Sequence, residues 1–422
     1  MIEIVDAVEA KRRGIFNRSA EVDLDITARV ADIIADVRSR GDVALAEYTR
    51  LYDKCDYDGT PVSEQEIAAA YERCDKGMIE ILREAHANIA AFHAKQLGGG
   101  FEMRGEDGIV LGQKATPLAR VGIYVPGGTA SYPSTVLMNA TPAKIAGVGE
   151  IIMVTPAGRI KDEILIAADI AGVDKIYKVG GAQAIAALAY GTESIAPVDK
   201  ITGPGNIYVA TAKRLVFGQT DIDMIAGPSE VLIIADSSAD PDCVAADMLS
   251  QAEHDRLASA VLVTDSSELA RDVATALDRR LSALDRADIA SVSIENNGKI
   301  IMCSSIDEAI DIANSIAPEH LELCTRDPFG DLDKVRNAGS IFLGGNTPEP
   351  VGDYFAGPNH TLPTGGSARF SSPLSVEDFI KRSSYIYYTD KALAKVKDKI
   401  IAFASSEGLT AHAESVAARF KK

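Results

Sequence analysis

Short apolar runs alternate with helix-like stretches along most of this chain. Val121–Val125 and Ile151–Val154 are two such runs, and each is followed by a stretch with apolar residues at helical spacing. The alternation resumes after residue 236 as a second unit. Short strands separated by helices imply right-handed crossover connections and parallel sheets. The pattern therefore predicts an α/β protein with doubly wound sheets.

The predicted elements can be placed along the chain. Residues 26–96 read as helical, and Ser63 and Glu66 have the spacing of a capping box. The other predicted helices are Ser134–Gly147, 162–171, 182–190, 240–253, 267–283 and 306–315. The other predicted strands are Lys175–Val179, Asp199–Thr202, Val231–Ala235, Ala260–Thr264, Ile300–Cys303 and Ser340–Leu343.

The last part of the chain has a different texture. Residues 344–373 are rich in Gly and Pro, and we expect a long loop there, of the kind that is usually functional or disordered. For residues 376–422 the sequence predicts a largely helical tail with one strand, Tyr385–Tyr388. The predicted organisation is an N-terminal segment (1–25), a discontinuous first α/β domain (26–117 and 231–373), a second α/β domain (118–230) and a C-terminal dimerisation tail (374–422).

Composition narrows the class of protein. Of the 422 residues, 46% are hydrophobic and 25% are charged, which is typical of a globular protein. The formal net charge of −18 argues against nucleic acid, because phosphate binding depends on Lys and Arg. No apolar run reaches the ~20 residues that cross a bilayer, and no signal peptide is visible. The five cysteines are scattered, so we expect a reducing, cytoplasmic location.

Histidine is the most informative residue type. Four of the six histidines, His254, His320, His360 and His412, lie beyond residue 250 in short polar contexts, most of them beside Glu, Asp or Gln. Histidine is a common metal ligand and moves protons near pH 7. These positions therefore predict a metal site or an acid/base site. The other two lie in an apolar helical stretch and are interpreted as structural.

Two short motifs could carry chemistry. Gln251 and His254 are three residues apart on a predicted helix, so both project from one face, as paired metal ligands do. A helix C-terminus with a favourable histidine explains them equally well. Glu319 and His320 follow Pro318 at the start of a predicted strand and could form a general acid/base pair. The dipeptide alone is also compatible with a surface position.

Other candidates are weaker when taken singly. Asp353 lies in the Gly-Pro loop and could reach a metal, although an Asx turn also suits it. The tail histidine, His412, could simply be exposed. Glycine clusters at 126–128, 180–181 and 203–205 would let backbone amides approach a ligand, but none is a full dinucleotide fingerprint.

Taken together, the motifs closely resemble those of the histidinol dehydrogenase family. The resemblance runs from about residue 20 to the C-terminus. It is carried by Ile-Tyr-Val-Pro-Gly-Gly (123–128), Tyr-Pro-Ser-Thr-Val-Leu-Met-Asn-Ala (132–140), Val-Gly-Gly-Ala-Gln-Ala-Ile-Ala-Ala-Leu-Ala-Tyr-Gly-Thr (179–192), Gly-Pro-Gly-Asn (203–206), Ile-Asp-Met-Ile-Ala-Gly-Pro-Ser-Glu (222–230), Ser-Gln-Ala-Glu-His-Asp (250–255), Pro-Glu-His-Leu-Glu (318–322), Gly-Asp-Tyr-Phe-Ala-Gly-Pro-Asn-His (352–360) and Glu-Gly-Leu-Thr-Ala-His (407–412).

This resemblance implies two Rossmann-like domains and a zinc enzyme that oxidises L-histidinol through L-histidinal to L-histidine with two NAD⁺. The implied zinc ligands, which also contact substrate, are Gln251, His254, Asp353 and His412. The implied acid/base pair is Glu319 and His320, with His320 also contacting substrate. Further implied substrate contacts are Ser229, His360 and Glu407, and implied NAD contacts are Tyr124, Gln183 and Asn206. The resemblance also implies a homodimer whose tail completes the other subunit's site.

Three other functions remain open from sequence. A related dehydrogenase could keep the zinc site and act on another small polar alcohol, such as a sulfonated diol. Glu407 and His360 argue against this, because a carboxylate suits an imidazole-bearing cation. A zinc hydrolase could use Glu319 as a base without a nucleotide. A metal-binding scaffold would show no turnover.

Overall fold

The structure is a computed structural model that describes residues 2–15, 23–127, 132–158 and 160–421. The strands within these ranges are β1 (Glu3–Asp6), β2 (Phe101–Arg104), β3 (Val110–Pro117), β4 (Arg120–Tyr124), β5 (Glu150–Thr155), β6 (Lys175–Lys178), β7 (Lys200–Thr202), β8 (Asp221–Ile222), β9 (Glu230–Ala235), β10 (Ser259–Thr264), β11 (Lys299–Met302), β12 (His320–Cys324), β13 (Ser340–Leu343) and β14 (Ile380–Tyr387).

Helices connect most of these strands. In chain order they are α1 (Ala7–Arg12), α2 (Leu24–Arg40), α3 (Asp42–Tyr52), α4 (Glu64–Arg73), α5 (Lys76–His93), α6 (Pro133–Ala146), α7 (Asp162–Ala171), α8 (Gly181–Tyr190), α9 (Ile207–Val216), α10 (Pro241–Ala252), α11 (Ser267–Leu281), α12 (Ala287–Asn297), α13 (Ile306–Ile316), α14 (Pro328–Leu332), α15 (Glu349–Tyr354), α16 (Asp390–Ser406) and α17 (Thr410–Ala417). Within the described residues, no helix combines the length and apolarity that crossing a membrane requires.

The chain divides into two compact units. The larger comprises Met1–Gln96 and Leu118–Phe379, and the smaller comprises Leu97–Pro117 and Ile380–Lys422. The larger unit contains two parallel sheets, each with helices around it. The prediction of an α/β fold with parallel sheets is confirmed.

The five-stranded sheet has the order β6-β5-β4-β7-β8, and all its pairings are parallel. The first strand of this sheet in sequence, β4, lies at its centre. The next two strands, β5 and β6, lie on one side of β4, and the chain then returns to place β7 on the other side. That reversal leaves a crevice between the carboxyl ends of β4 and β7, where sheets of this kind bind ligands. Helices α2 to α5 pack against α6 to α9 around this sheet. The domain organisation predicted from sequence places α2 to α5 in the same domain as 231–373.

The six-stranded sheet has the order β1-β11-β10-β9-β12-β13 and is also wholly parallel. Its five strands from β9 onward repeat the arrangement of the other sheet, and β1 adds an edge strand from the N-terminal segment. Apolar residues cover both faces of its central part, so β9, β10 and β12 are buried along their whole length, whereas the edge strand β1 is largely exposed. Neighbouring strands β9 and β12 begin at the same edge, because His320 pairs with Val231.

The smaller unit is not simply helical. Strand β14 pairs antiparallel with β3, which pairs antiparallel with β2, and α16 and α17 follow in the chain. Residues 376–422 form a largely helical tail with one strand, as expected, but the strand runs over Ile380–Tyr387 and not Tyr385–Tyr388. The other two strands of its sheet come from 97–117, for which the sequence predicts no element.

The predicted loop at 344–373 also needs correction. A short helix, α15, lies inside it, followed by a 3₁₀ turn at Ser367–Arg369. The helix escapes sequence-based detection because it has only six residues and contains Pro350 and Gly352, which predict loops. It carries Asp353, one of the expected metal ligands.

Candidate active site

Glu319 and His320 lie at the amino edge of the six-stranded sheet, where β9 and β12 begin side by side. The backbone N–H of Glu230 donates to Oε2 of Glu319 at 2.9 Å. The carbonyl of the same residue lies 3.1 Å from Nδ1 of His320. A carbonyl can only accept, so Nδ1 carries the hydrogen and Nε2 of a neutral ring keeps its lone pair. The neighbouring strand thus fixes the tautomer that a general base requires.

Glu319 is held in a buried position. It is only 6% exposed, and burial raises the pKa of its carboxyl group to about 8. Water-free surroundings disfavour the charged form, which explains the direction of the shift. A carboxyl group with this pKa exchanges protons near neutral pH, as a general acid or base must.

Carboxylate oxygens surround the free nitrogen of His320. Oε1 of Glu349 lies 3.8 Å from Nε2, and Oδ1 of Asp353 lies 3.9 Å from it. Nε2 is buried and accepts no hydrogen bond from the residues that the structure describes. Three acceptors therefore converge without a donor between them. Such a point attracts a cation or a hydrogen-bond donor.

His254 reaches the same place from the end of α10, and Gln251 lies three residues before it in that helix. The helix ends at Ala252, so His254 lies just beyond it, in a turn closed by its N–H on the carbonyl of Gln251 at 3.2 Å. Burial lowers the pKa of His254, so its ring is neutral and can bind a metal. Ligand atoms of His254, Glu349 and Asp353 all lie within 4.8 Å of one another.

Gln251 is a buried residue near the end of α10 whose amide atoms lack hydrogen-bond partners in the described part of the chain. It is fully buried, yet neither its amide oxygen nor its amide nitrogen forms a hydrogen bond within the described ranges. Leaving a buried amide unpaired costs about 1–3 kcal/mol per group. Because amide oxygen, imidazole nitrogen and carboxylate oxygen all ligate divalent metals, this set of residues fits a metal ion.

His360 borders the same cluster from the Gly-Pro segment. Its Nδ1 lies 3.1 Å from the carbonyl of Asp353, which fixes the tautomer and leaves Nε2 free. Burial lowers the pKa of His360, so the ring is neutral. A cavity of about 110 Å³ adjoins these groups and is lined by His320, Asp353 and His360, among others. The site therefore has room for a small ligand beside the proposed base.

The remaining sequence candidates for substrate contact are dispersed. Ser229 is half-buried and directly precedes β9, next to the residue that holds the acid/base pair. Glu407 and His412 belong to the smaller unit, where Glu407 caps the end of α16 and His412 lies in α17. Both side chains are exposed within that unit.

Sequence reasoning missed Glu349. Its neighbours Pro348 and Pro350 predict a loop, and nothing local signals that its side chain is buried. Two more acids lie behind it: burial raises the pKa of Glu322 well above its usual value and that of Asp247 to about 6. The only sequence signal is an apolar strand interrupted by Glu322, since a charged residue inside a buried strand needs an explanation.

The candidate NAD residues lie around the crevice of the five-stranded sheet. Tyr124 ends β4, Gln183 is in the first turn of α8, and Asn206 caps α9 by accepting from the amides of Tyr208 and Val209. Tyr124 is 3% exposed, and its hydroxyl accepts from the N–H of Gly181 at 3.1 Å. The structure thus brings the ends of β4, β6 and β7 together at one edge.

A buried ion pair fixes the turn that leads to Asn206. Lys213 pairs with Asp223, and their side chains are 2% and 1% exposed. Lys213 donates to the carbonyl of Gly203 at 2.9 Å, and the N–H of Gly203 donates to Asp223 at 2.8 Å. Gly203 has φ +107°, and a Cβ there would lie 2.1 Å from the carbonyl oxygen of Tyr124. The turn can pack against β4 only because this residue is glycine.

Comparison with known proteins identifies the family of this chain. A family profile described as histidinol dehydrogenase matches residues 16–420. Among curated relatives, histidinol dehydrogenase of Clostridium acetobutylicum is 54% identical over 407 residues, covering 96% of this chain and 94% of the relative. The corresponding protein of Geobacter metallireducens is 55% identical over 413 residues, covering 97% and 95%.

A solved structure gives the same result for the fold. The crystal structure of histidinol dehydrogenase from Elizabethkingia anophelis superposes with a TM-score of 0.94 at 38% identity, covering 100% of this chain and 98% of that one. Profile, sequence relatives and fold agree over nearly the whole length. This chain therefore belongs to the histidinol dehydrogenase family.

Proposed function

We propose that this protein oxidises L-histidinol through L-histidinal to L-histidine with two NAD⁺, the last reaction of histidine biosynthesis. One observation carries the proposal for a member of this family. His320, with a fixed tautomer, borders a cavity, and it lies beside a buried carboxyl group with a pKa of about 8 and a cluster of metal-ligand atoms. Two oxidations at one centre need a base for the alcohol, a base for water and a cation-binding site.

Gln251, His254 and Asp353 would hold a zinc ion, together with His412 from the tail of a second copy of the chain. The unpaired amide of Gln251 and the neutral ring of His254 support this set. When bound, zinc supplies a redox-inert Lewis acid that attracts the imidazole and amino nitrogens of the substrate. The cavity beside His320 would take the carbon that bears the hydroxyl group.

His320 acts in the first oxidation. The carbonyl of Glu230 holds its Nδ1–H, so Nε2 is free to accept the hydroxyl proton as the C–O bond becomes a carbonyl. NAD⁺, bound beside Tyr124, Gln183 and Asn206, accepts the hydride from the substrate carbon in each oxidation. Domain 118–230 would thus provide the residues that bind NAD⁺, and residues 231–373 would provide the metal ligands and the acid/base pair.

Glu319 acts in the second oxidation. In its carboxylate form it takes a proton from water, which adds to the aldehyde carbon and gives the hydrate. Loss of a second hydride and two protons from this hydrate gives the carboxylate product. The N–H of Glu230 holds Oε2 of Glu319, so one oxygen is fixed and the other can reach water.

Substrate specificity would come from groups around the cavity. Ser229 and His360 offer hydroxyl and imidazole contacts, and Glu407 offers a carboxylate to the cationic substrate. A buried neutral His360 fits an uncharged contact to the polar backbone of the substrate. These assignments rest on the family motifs that this chain carries at each position.

We also propose a homodimer in which the tail of one subunit completes the site of the other. The smaller unit exposes several large apolar side chains: Phe101 is 56% exposed, Ile386 75% and Phe403 70%. Exposed apolar residues in such number on a small unit are typical of a protein interface. The five free cysteines support a reducing compartment, and we place the enzyme in the cytoplasm.

The test is a stoichiometry. Purified zinc-loaded enzyme with NAD⁺ should produce two NADH for each L-histidinol consumed, with little free histidinal, because both base groups serve the same cavity. A ratio of one with accumulating aldehyde would contradict the two-step proposal. Turnover of a sulfonated diol in preference to histidinol, or hydrolysis of esters or peptides without NAD⁺, would support the alternative functions instead.

A further inference from the structure

Glu349 is a buried acid that the family motifs leave without a role. It is the first residue of α15 and is only 2% exposed. Its backbone N–H donates to Oε1 of Glu322 at 2.9 Å, which fixes the start of the helix in place. One of its own carboxylate oxygens, Oε2, is buried and forms no hydrogen bond among the described residues. The side chain is therefore held, but it is not satisfied.

The surroundings of Glu349 are rich in acceptors and poor in positive charge. Its Oε1 lies 3.8 Å from the lone-pair nitrogen of His320, and the charged groups that act most on it are Asp353 and Asp247. In the part of the chain that the structure describes, no Lys or Arg forms an ion pair with it. The hydroxyl of Ser250 hydrogen-bonds the carboxyl group, but the buried Oε2 has no partner in the described stretches of the chain. Buried carboxylate oxygens are normally paired, so the position of Oε2 makes sense if a cation occupies the space in front of it.

Geometry identifies that space as the proposed metal site. Glu349 offers a ligand atom within 4.8 Å of those of His254 and Asp353, so one ion can reach all three. Without Glu349, the ligands of one subunit carry a single negative charge, on Asp353, against the two positive charges of the ion. With Glu349, the charges balance, which favours the ion in a buried site.

We propose that Glu349 is a direct ligand of the metal ion in the substrate-free enzyme and gives up that position when substrate binds; this rests on the proposed metal site. The exchange follows from the position of the carboxylate beside His320. The reacting hydroxyl must reach Nε2 of that histidine, so the substrate has to enter the space next to Glu349. Until the substrate displaces it, the carboxylate occupies a ligand position on the ion and keeps water and other anions out of that position.

The test uses Glu349→Gln in the full-length protein, because glutamine keeps the size and removes the charge. Metal affinity is measured by competition with a chelator, and the coordination sphere is followed through the visible absorption of the cobalt(II) form. Affinity should fall at least about 10-fold, the lower end for loss of groups that support a metal site. The cobalt spectrum of the free variant should differ from wild type, whereas the two histidinol-bound spectra should coincide.

Asp247→Asn is the matched control, since it removes a neighbouring carboxylate that is not part of the cluster of ligand atoms. It should leave the cobalt spectrum unchanged, and circular dichroism establishes that both variants fold. An unchanged affinity, an unchanged free spectrum or the same effect in Asp247→Asn would overturn direct ligation by Glu349. If His254→Ala also binds metal as wild type does, the proposed metal site itself is wrong, so the two failures are distinct.

Discussion

Replacing Lys213 with Met should destabilise the protein and weaken NAD⁺ binding while leaving the metal site intact. Methionine keeps most of the length of lysine but cannot pair with Asp223 or donate to the carbonyl of Gly203. Asp223 would remain a buried carboxylate held only by the N–H groups of Gly203 and Met224, at 2.8 and 2.6 Å. The turn ahead of Asn206 would lose one of its two supports.

The size of the effect follows from burial. Removing one member of a buried ion pair costs roughly 3–5 kcal/mol, because the other charge stays unpaired. At about 2.1 cal/mol/K of unfolding entropy per residue, 422 residues that unfold together give a fall in Tm of roughly 3–6 °C. A smaller cooperative unit would give a larger fall.

Thermal unfolding and steady-state kinetics measure the two consequences. KM for NAD⁺ should rise, while histidinol affinity and zinc content should stay at wild-type values. In the double variant with Asp223→Asn, neither buried charge remains, so its loss should be smaller than the sum of the two single losses by about 1–3 kcal/mol. A Tm within about 1 °C of wild type for Lys213→Met, or strictly additive losses, would refute the stabilising role of the ion pair between Lys213 and Asp223.

Three further outcomes are expected. His320→Asn should slow histidinol oxidation by about 10²–10⁴-fold with little change in histidinol binding. Glu319→Gln should slow oxidation of supplied histidinal more than it slows the first oxidation. Equal losses in both steps would contradict these roles. Because burial raises the pKa of Glu319 to about 8, histidinal oxidation should rise with pH to a midpoint at about 8, or lower if a bound cation stabilises the carboxylate, and Glu319→Gln should abolish the rise. Chains with His412→Ala and with His254→Ala, inactive alone, should regain about a quarter of wild-type activity when refolded together, since half the dimers are mixed and each has one intact site; an inactive mixture that contains mixed dimers would place the tail in its own subunit.

The periodicity of the sequence predicts most of the larger unit. Apolar runs such as Ile151–Val154 and Val231–Ala235 are buried parallel strands, whose composition is distinctive because both faces are covered. Strands β2 and β3 were missed because their residues are largely exposed and do not alternate. Strand β1 was missed because a four-residue edge strand becomes stable only against β11, at the other end of the sequence.

The candidate site could be predicted only where its residues lie in recognisable motifs. Gln251 and His254 share one turn, and Glu319 and His320 are adjacent, so local spacing reveals each pair. Glu349 comes near His320 only through the folding of the chain after β13. Its burial and its lack of a partner are tertiary properties that no local pattern records.

The role of Glu230 has a consequence for how this enzyme can change. Its amide and its carbonyl hold Glu319 and His320 respectively, so the backbone of one residue orients both members of the proposed acid/base pair. Most substitutions at 230 keep both backbone groups and so leave Glu319 and His320 oriented, whereas proline would remove the N–H that holds Glu319. A shift of β9 by one residue against β12 would instead turn the supporting groups away from both at once. Insertions or deletions in β9 would abolish both oxidations together, and they offer no route to an enzyme that stops at the aldehyde.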